Sequence, residues 1–135
     1  MKTVKAFIER GKDGTFGVYH NDDLPCGFFG DGNTKQEAVN DYLQSYKEMI
    51  EEVEGKDKDI MKSLEFEFVI DIRSYLEYYS QFFTLAGLAK LTNVSASQLS
   101  HYLNGYKKPT AATAKKIEDG LINFANDLEG LRLGR

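Results

Sequence analysis

The sequence predicts an α+β protein: a small antiparallel sheet covered by one helix, then an all-helical domain. Three observations carry this. Two short segments, Thr3 to Glu9 and Glu65 to Asp71, alternate apolar and polar residues as half-buried strands do. Between them Val39, Tyr42, Leu43, Tyr46, Met49, Ile50 and Val53 recur at helical spacing. After residue 70 alternation gives way to helical periodicity throughout. The order strand, strand, strand, helix, strand lets a single helix cover one sheet face. The expected division is 1–70 and 71–135.

In the first strand Val4, Ala6 and Ile8 share one face and Phe7 the other. Asp13-Gly14 is a hairpin signal, and Phe16 to His20 is the returning strand. Asn21-Asp22-Asp23-Leu24-Pro25 reads as a loop and Cys26 to Gly30 as a short third strand. Asp31-Gly32-Asn33 turns into a helix capped by Thr34, with Glu37 three residues later completing a capping box. Gly55 to Asp59 is a charged breaker. In the fourth strand Phe66, Phe68 and Ile70 oppose Glu65, Glu67 and Asp71. A helix from Ile72 to Phe83 leads onward, with Tyr75, Tyr78 and Tyr79 as interdomain core.

The stretch Thr84 to Thr110 is the most informative. Thr84 can cap a first helix with Leu85, Leu88, Ala89 and Leu91 on one face. Asn93 stands where a turn needs a left-handed backbone, which Asn tolerates. Val94 plugs the core and Ser95 caps a second helix, whose inward face is Leu99, Tyr102 and Leu103. Asn104-Gly105 ends it, because Gly accepts positive φ. Two short helices joined by a tight polar turn, the second led by small polar residues and followed by paired lysines, form a helix-turn-helix suited to the DNA major groove. The segment resembles the DNA-binding domain of the Xre/Cro/C1-repressor family through Leu88-Ala89, Val94-Ser95, Leu99, Asn104-Gly105, Pro109-Thr110 and the Ile117/Leu121 pair. That resemblance implies base-facing positions at Ala96, Ser97 and His101. It implies phosphate contacts or a second reading position at Gln98, Asn104, Tyr106, Lys107 and Lys108, with Ser95 at the helix start.

Beyond Thr110, Ala114, Ile117, Leu121, Phe124, Ala125, Leu128 and Leu131 keep helical spacing, with Gly120 weakening the helix by about 1 kcal/mol relative to Ala. The part beyond Phe124 is expected to dimerise the chain, since paired recognition helices need a two-fold contact. Gly130 to Arg135 is expected to fray.

The first half resembles the N-terminal domain of HicB-type antitoxins. The resemblance runs through the strands around Asp13-Gly14, then Leu24-Pro25-Cys26-Gly27, Gly30-Asp31-Gly32-Asn33-Thr34, Glu37-Ala38 and Asn40. It implies a partial RNase H-like layer without catalytic residues, which binds and occludes a small RNA-cleaving HicA-like toxin. Many such proteins carry a C-terminal DNA-binding domain that represses their own operon. Glu48, Glu51 and Glu52 are then candidate toxin contacts, a negative patch matching a basic partner.

Charge supports the division. The chain carries 17 basic and 21 acidic residues, net −4, which suits a DNA binder poorly as a whole. Residues 1–70 hold 9 basic and 15 acidic residues, whereas residues 71–135 hold 8 and 6. The basic excess therefore lies with the helix-turn-helix. No apolar run approaches the roughly 18 residues of a membrane span. With one cysteine, Cys26, no internal disulfide is possible, and a cytoplasmic location is expected. His20 has no second His or Cys at metal spacing, Cys26 has no basic neighbour to activate it, and Asp22, Asp23 and Asp31 read as solvated loop carboxylates. No cofactor, metal or catalytic residue is expected, and no enzyme.

The expected function is a DNA-binding antitoxin that neutralises a small basic HicA-like toxin and represses its own operon as a homodimer or larger homo-oligomer on double-stranded DNA. The alternative is an orphan helix-turn-helix repressor whose front domain only assembles the oligomer or senses a ligand.

Overall fold

The computed structural model describes residues 1–134 and divides the chain into two compact units, Met1–Asp71 and Ile72–Arg135. The first unit runs β1 (Lys2–Arg10), β2 (Phe16–Tyr19), β3 (Gly30–Gly32), α1 (Lys35–Glu52), α2 (Gly55–Lys62) and β4 (Leu64–Ile70). The second is helical: α3 (Ile72–Tyr79), α4 (Leu85–Thr92), α5 (Ala96–Leu103) and α6 (Ala111–Leu128).

The sheet order is β3-β2-β1-β4. β1 pairs antiparallel with β2 through Ile8 opposite Val18, and β2 antiparallel with β3 through Phe16 opposite Gly32. β4, however, lies parallel to β1, with Val4 beside Phe66 and Ile8 beside Ile70. The sheet is therefore mixed, which corrects the antiparallel expectation. The reason is topological: β3 runs in the direction of β1, and the helical crossover returns the chain to the end from which β3 set out.

The apolar face predicted from alternation is the buried one. Val4, Ala6, Ile8, Phe16 and Val18 are all buried, as are Ala38 and Tyr42 of α1. Thr34 caps α1 with the expected box: its side chain accepts from the Glu37 N–H, and the Glu37 carboxylate accepts from the Thr34 N–H.

Three boundaries differ from expectation. The third strand is Gly30–Gly32 rather than Cys26 to Gly30, because only these glycines let α1 cross closely over the sheet. A β-carbon on Gly30 would stand 2.5 Å from the Ala38 carbonyl oxygen, and one on Gly32 2.7 Å from the Ala38 nitrogen. Gly55 to Asp59 is not a breaker. Gly55, at φ 63°, makes the single sharp turn, and the residues after it wind into α2, whose Met61 is fully buried. Two helices thus lie between β3 and β4. Finally, α3 stops at Tyr79 instead of Phe83. The Ser80 hydroxyl and the Gln81 amide donate to the carbonyls of Glu77 and Tyr78, at 3.1 Å each, so local side chains take over the last turn.

The second unit has its own core of Leu76, Leu88, Val94, Leu99, Tyr102 and Ile117. Tyr75 packs against this core, where burial pushes its phenol up to about 12. α6 crosses α4 at Gly120, where a β-carbon would meet the Leu91 carbonyl oxygen at 2.5 Å. After Leu128 the described chain has no regular helix or strand, and Arg135, at the end of the stretch expected to fray, lies outside the described residues.

Candidate nucleic-acid interface

α4 and α5 owe their relative position to five residues in a short span. The Thr84 hydroxyl caps α4 by accepting from the Gly87 N–H at 3.0 Å. Asn93 closes α4 in the left-handed region, φ 59°, as its place in the turn required, and its N–H returns to the Ala89 carbonyl. Buried Thr92 donates to the Leu88 carbonyl at 2.7 Å and accepts from the Val94 N–H, so a polar residue inside the bend is satisfied twice. Val94 is buried between the helices. Ser95 then caps α5 in a reciprocal box with Gln98.

Burial of Leu99 and Tyr102 aims the opposite face of α5 outward. Ser95, Ser97, Gln98 and Asn104 are exposed, while Ala96 and His101 are half-buried. The Gln98 carbonyl oxygen accepts from the Ser95 N–H and hydroxyl, at 3.4 and 3.3 Å, so its NH2 end is the one offered outward. The Asn104 amide leans back on the Ser100 hydroxyl at 3.5 Å.

The end of α5 is a complete Schellman turn. Gly105, at φ 78°, donates to the Tyr102 carbonyl, and Tyr106 donates to the His101 carbonyl at 2.9 Å. This turn projects Tyr106, 78% exposed, with its ring set edge-on to His101 at 6.2 Å between centroids. Lys107 and Lys108 follow, both exposed. The nine residues proposed from the sequence thus fall on one element and the turn that closes it.

A charge balance over each half of the chain averages away a further electrostatic signal. Residues 78–117 contain no Asp or Glu but five lysines: Lys90, Lys107, Lys108, Lys115 and Lys116. The acids of the second unit stand outside that window, at Glu77 in α3 and from Glu118 onward. Lys116 reaches the Asn93 carbonyl at 3.5 Å, placing a cation over the turn itself. The stretch that carries α5 is therefore more positive than either the net charge or the half-chain balance implies.

In the first unit Glu48, Glu51 and Glu52 are exposed on the last two turns of α1. Glu48 accepts from Gln44, and Glu51 approaches Lys58 at 4.0 Å. Cys26 points its thiol toward the Met49 carbonyl at 3.9 Å, and burial pushes the thiol up, away from reactivity. His20 is held by the Tyr42 hydroxyl at 2.9 Å and lies against Phe28; burial lowers its basicity, and the Asp22 charge opposes this. Asp22 pairs with Lys2, and the Asp41 carboxylate accepts from the Asp31 N–H. Among the described residues no group of three or more His, Cys, Asp or Glu is placed to hold a metal ion. No helix among them is long and apolar enough to cross a membrane.

Residues 72–121 match the helix-turn-helix family model. The match begins with α3, spans α4 and α5, and ends in α6 at Leu121, so it covers the buried core of the second unit. It agrees with the Xre/Cro/C1-type reading of Leu88-Ala89, Val94-Ser95, Leu99 and Asn104-Gly105, and it marks the second unit as that of a DNA-binding regulator. The match does not extend into residues 1–71. Searches of curated proteins and of solved structures each return no significant match.

Proposed function

We propose that the chain is a transcription regulator that places α5 in the major groove of double-stranded DNA. One observation carries the reading most of the way. The polar side of a doubly capped helix is presented at the surface, inside a forty-residue window with five lysines and no acid. Ala96, Ser97 and His101 are the residues proposed to meet base edges. Ser95, Gln98, Asn104, Tyr106, Lys107 and Lys108 are proposed to set register on the sugar-phosphate backbone. Base reading is proposed to be modest, since this face carries neither Arg nor an uncommitted Gln.

The protein is proposed to bind as a homodimer. Supporting this, α6 continues past the family match, and Ile122, Leu128 and Leu131 are 55%, 55% and 64% exposed. Such side chains on one terminal segment suit a two-fold contact.

The test is duplex binding at a series of salt concentrations, with full-length protein. Lys107→Ala with Lys108→Ala should weaken binding to every sequence and flatten the dependence of log K on log salt by about 1.8, two contacts at about 0.9 each. His101→Ala should instead alter preference among sequences. Wild-type protein that retards no duplex at low ionic strength would end the reading.

A second reading concerns the first unit: an antitoxin module that neutralises a small basic toxin, with repression of its own operon as the companion role. The observation favouring it is energetic. Glu51 and Glu52 stand in the last turn of α1, which contains no basic residue, and only Glu51 has a cation near it, Lys58 at 4.0 Å. Acids there oppose the helix dipole at about 0.3–1 kcal/mol each. A helix that retains them is better explained by a positively charged partner than by its own stability. Co-purification from the native host decides this: a small basic protein held by wild type and released by Glu48→Gln, Glu51→Gln, Glu52→Gln supports it. Recovery of the chain with DNA alone favours an orphan repressor.

A further inference from the structure

Arg73 lies in the first turn of α3, thirty residues before the end of α5 in sequence, yet the fold brings it to that end. Its Nη1 stands 4.0 Å from where a β-carbon on Gly105 would be. Gly105 is the left-handed residue of the Schellman turn, and the next three residues are the exposed Tyr106, Lys107 and Lys108. The Arg73 side chain remains 61% exposed in this position. Its Nε donates to the Glu77 carboxylate at 3.3 Å, one turn along α3. Glu77 therefore holds the Nε edge of the guanidinium, and Nη1 is the end placed beside Gly105.

We propose that Arg73 is a DNA-backbone contact, adding a phosphate clamp from α3 to the lysine pair that follows α5. This rests on the proposal that α5 meets duplex DNA and adds a residue that local sequence reasoning did not select. The chemistry favours phosphate. A guanidinium presents paired donors in a plane that matches two phosphate oxygens, and a carboxylate on Nε reduces the rotamer freedom lost on binding. The competing role is purely structural, a cation near the carbonyl end of α5 where it offsets the helix dipole. The two roles part at the salt dependence. A dipole partner affects how firmly α5 is held, whereas a phosphate contact releases a counterion each time DNA binds.

The experiment measures duplex affinity between about 0.05 and 0.2 M salt for full-length wild type, Arg73→Gln and Arg73→Lys, with thermal melts to establish the folded fraction. If Arg73 meets phosphate, Arg73→Gln flattens the slope of log K against log salt by about 0.9 and lowers affinity about eightfold at 0.1 M, the loss such a slope implies relative to 1 M. Arg73→Lys keeps the slope and loses only part of the affinity, because charge persists without the fork. Arg73→Gln with the wild-type slope would overturn the assignment while leaving the proposed function intact. Wild type that binds no duplex would overturn both.

Discussion

Gly120→Ala should destabilise the helical unit, although helix propensity alone says the opposite. Replacing Gly by Ala inside a helix ordinarily gains about 1 kcal/mol. Here the added β-carbon would stand 2.5 Å from the Leu91 carbonyl oxygen and 2.8 Å from the Thr92 Cα, both backbone atoms of α4. Ordinary contact begins near 3.4 Å, so the two helices must part by about 0.6–0.9 Å, and a gap of that size forfeits a quarter to a half of the dispersion attraction across it. Leu88 and Ile117, fully buried in the core these helices share, would feel the separation first. Overpacking of this kind costs about 1–3 kcal/mol, and more where neither side can rotate away. After the propensity gain is subtracted, a net loss of up to about 2 kcal/mol remains, or about 4–8 °C in Tm for each kcal/mol in a unit of this size. Thermal and urea melts followed by helical circular dichroism give the answer. Gly87→Ala is the control. Its β-carbon would meet only the Thr84 hydroxyl, at 3.3 Å, so it should be neutral or stabilising. A Gly120→Ala protein as stable as wild type would show that α4 and α6 do not cross at this glycine.

Asn93→Gly should keep or slightly raise stability, while Asn93→Val should lose about 1–2 kcal/mol or more by urea melt, because φ 59° disfavours a β-carbon and a branched one most. Ser95→Ala removes the cap and half of the reciprocal box on α5, for an expected loss of about 0.5–2 kcal/mol together with weaker DNA retardation. His20 gives a pH dependence of definite sign. Its folded pKa lies below the usual 6.5, so the unfolded chain binds more protons, and its contribution is fully present above pH 6.5 and lost as pH falls through the lowered value. Melts at pH 7.5 and in steps below 6.5 should show wild type losing more stability than His20→Gln; equal losses would refute the assignment.

How much could be read from the residues follows from how local each cause is. Thr34 with Glu37, Ser95 as the cap of α5, Asn93 in the bend and Gly105 after Asn104 act within four residues of themselves, and each stands in the structure as its spacing predicted. The alternation of Val4, Ala6 and Ile8 chose their buried face in the same way. The misjudged places have distant causes. Gly30 read as the end of a strand and Gly32 as a turn residue because the helix that presses on them lies several residues on, at Glu37, Ala38 and Tyr42. The early stop of α3 came from Ser80 and Gln81 folding back on it, where apolar periodicity alone favoured continuation. The acid-free window from 78 to 117 was legible in the letters but hidden by a charge count over a whole half of the chain.

The letters alone determined the capped helix pair, its turn and the polar side α5 would show, since these depend on dihedral preference and hydrogen bonds between near neighbours. Three matters waited for the folded chain: the parallel pairing of β4 with β1, the need for a hydrogen at Gly120, and the meeting of Arg73 with the end of α5. Each joins segments dozens of residues apart. Whether such segments meet depends on how whole elements pack, and that packing leaves no periodic mark on either partner.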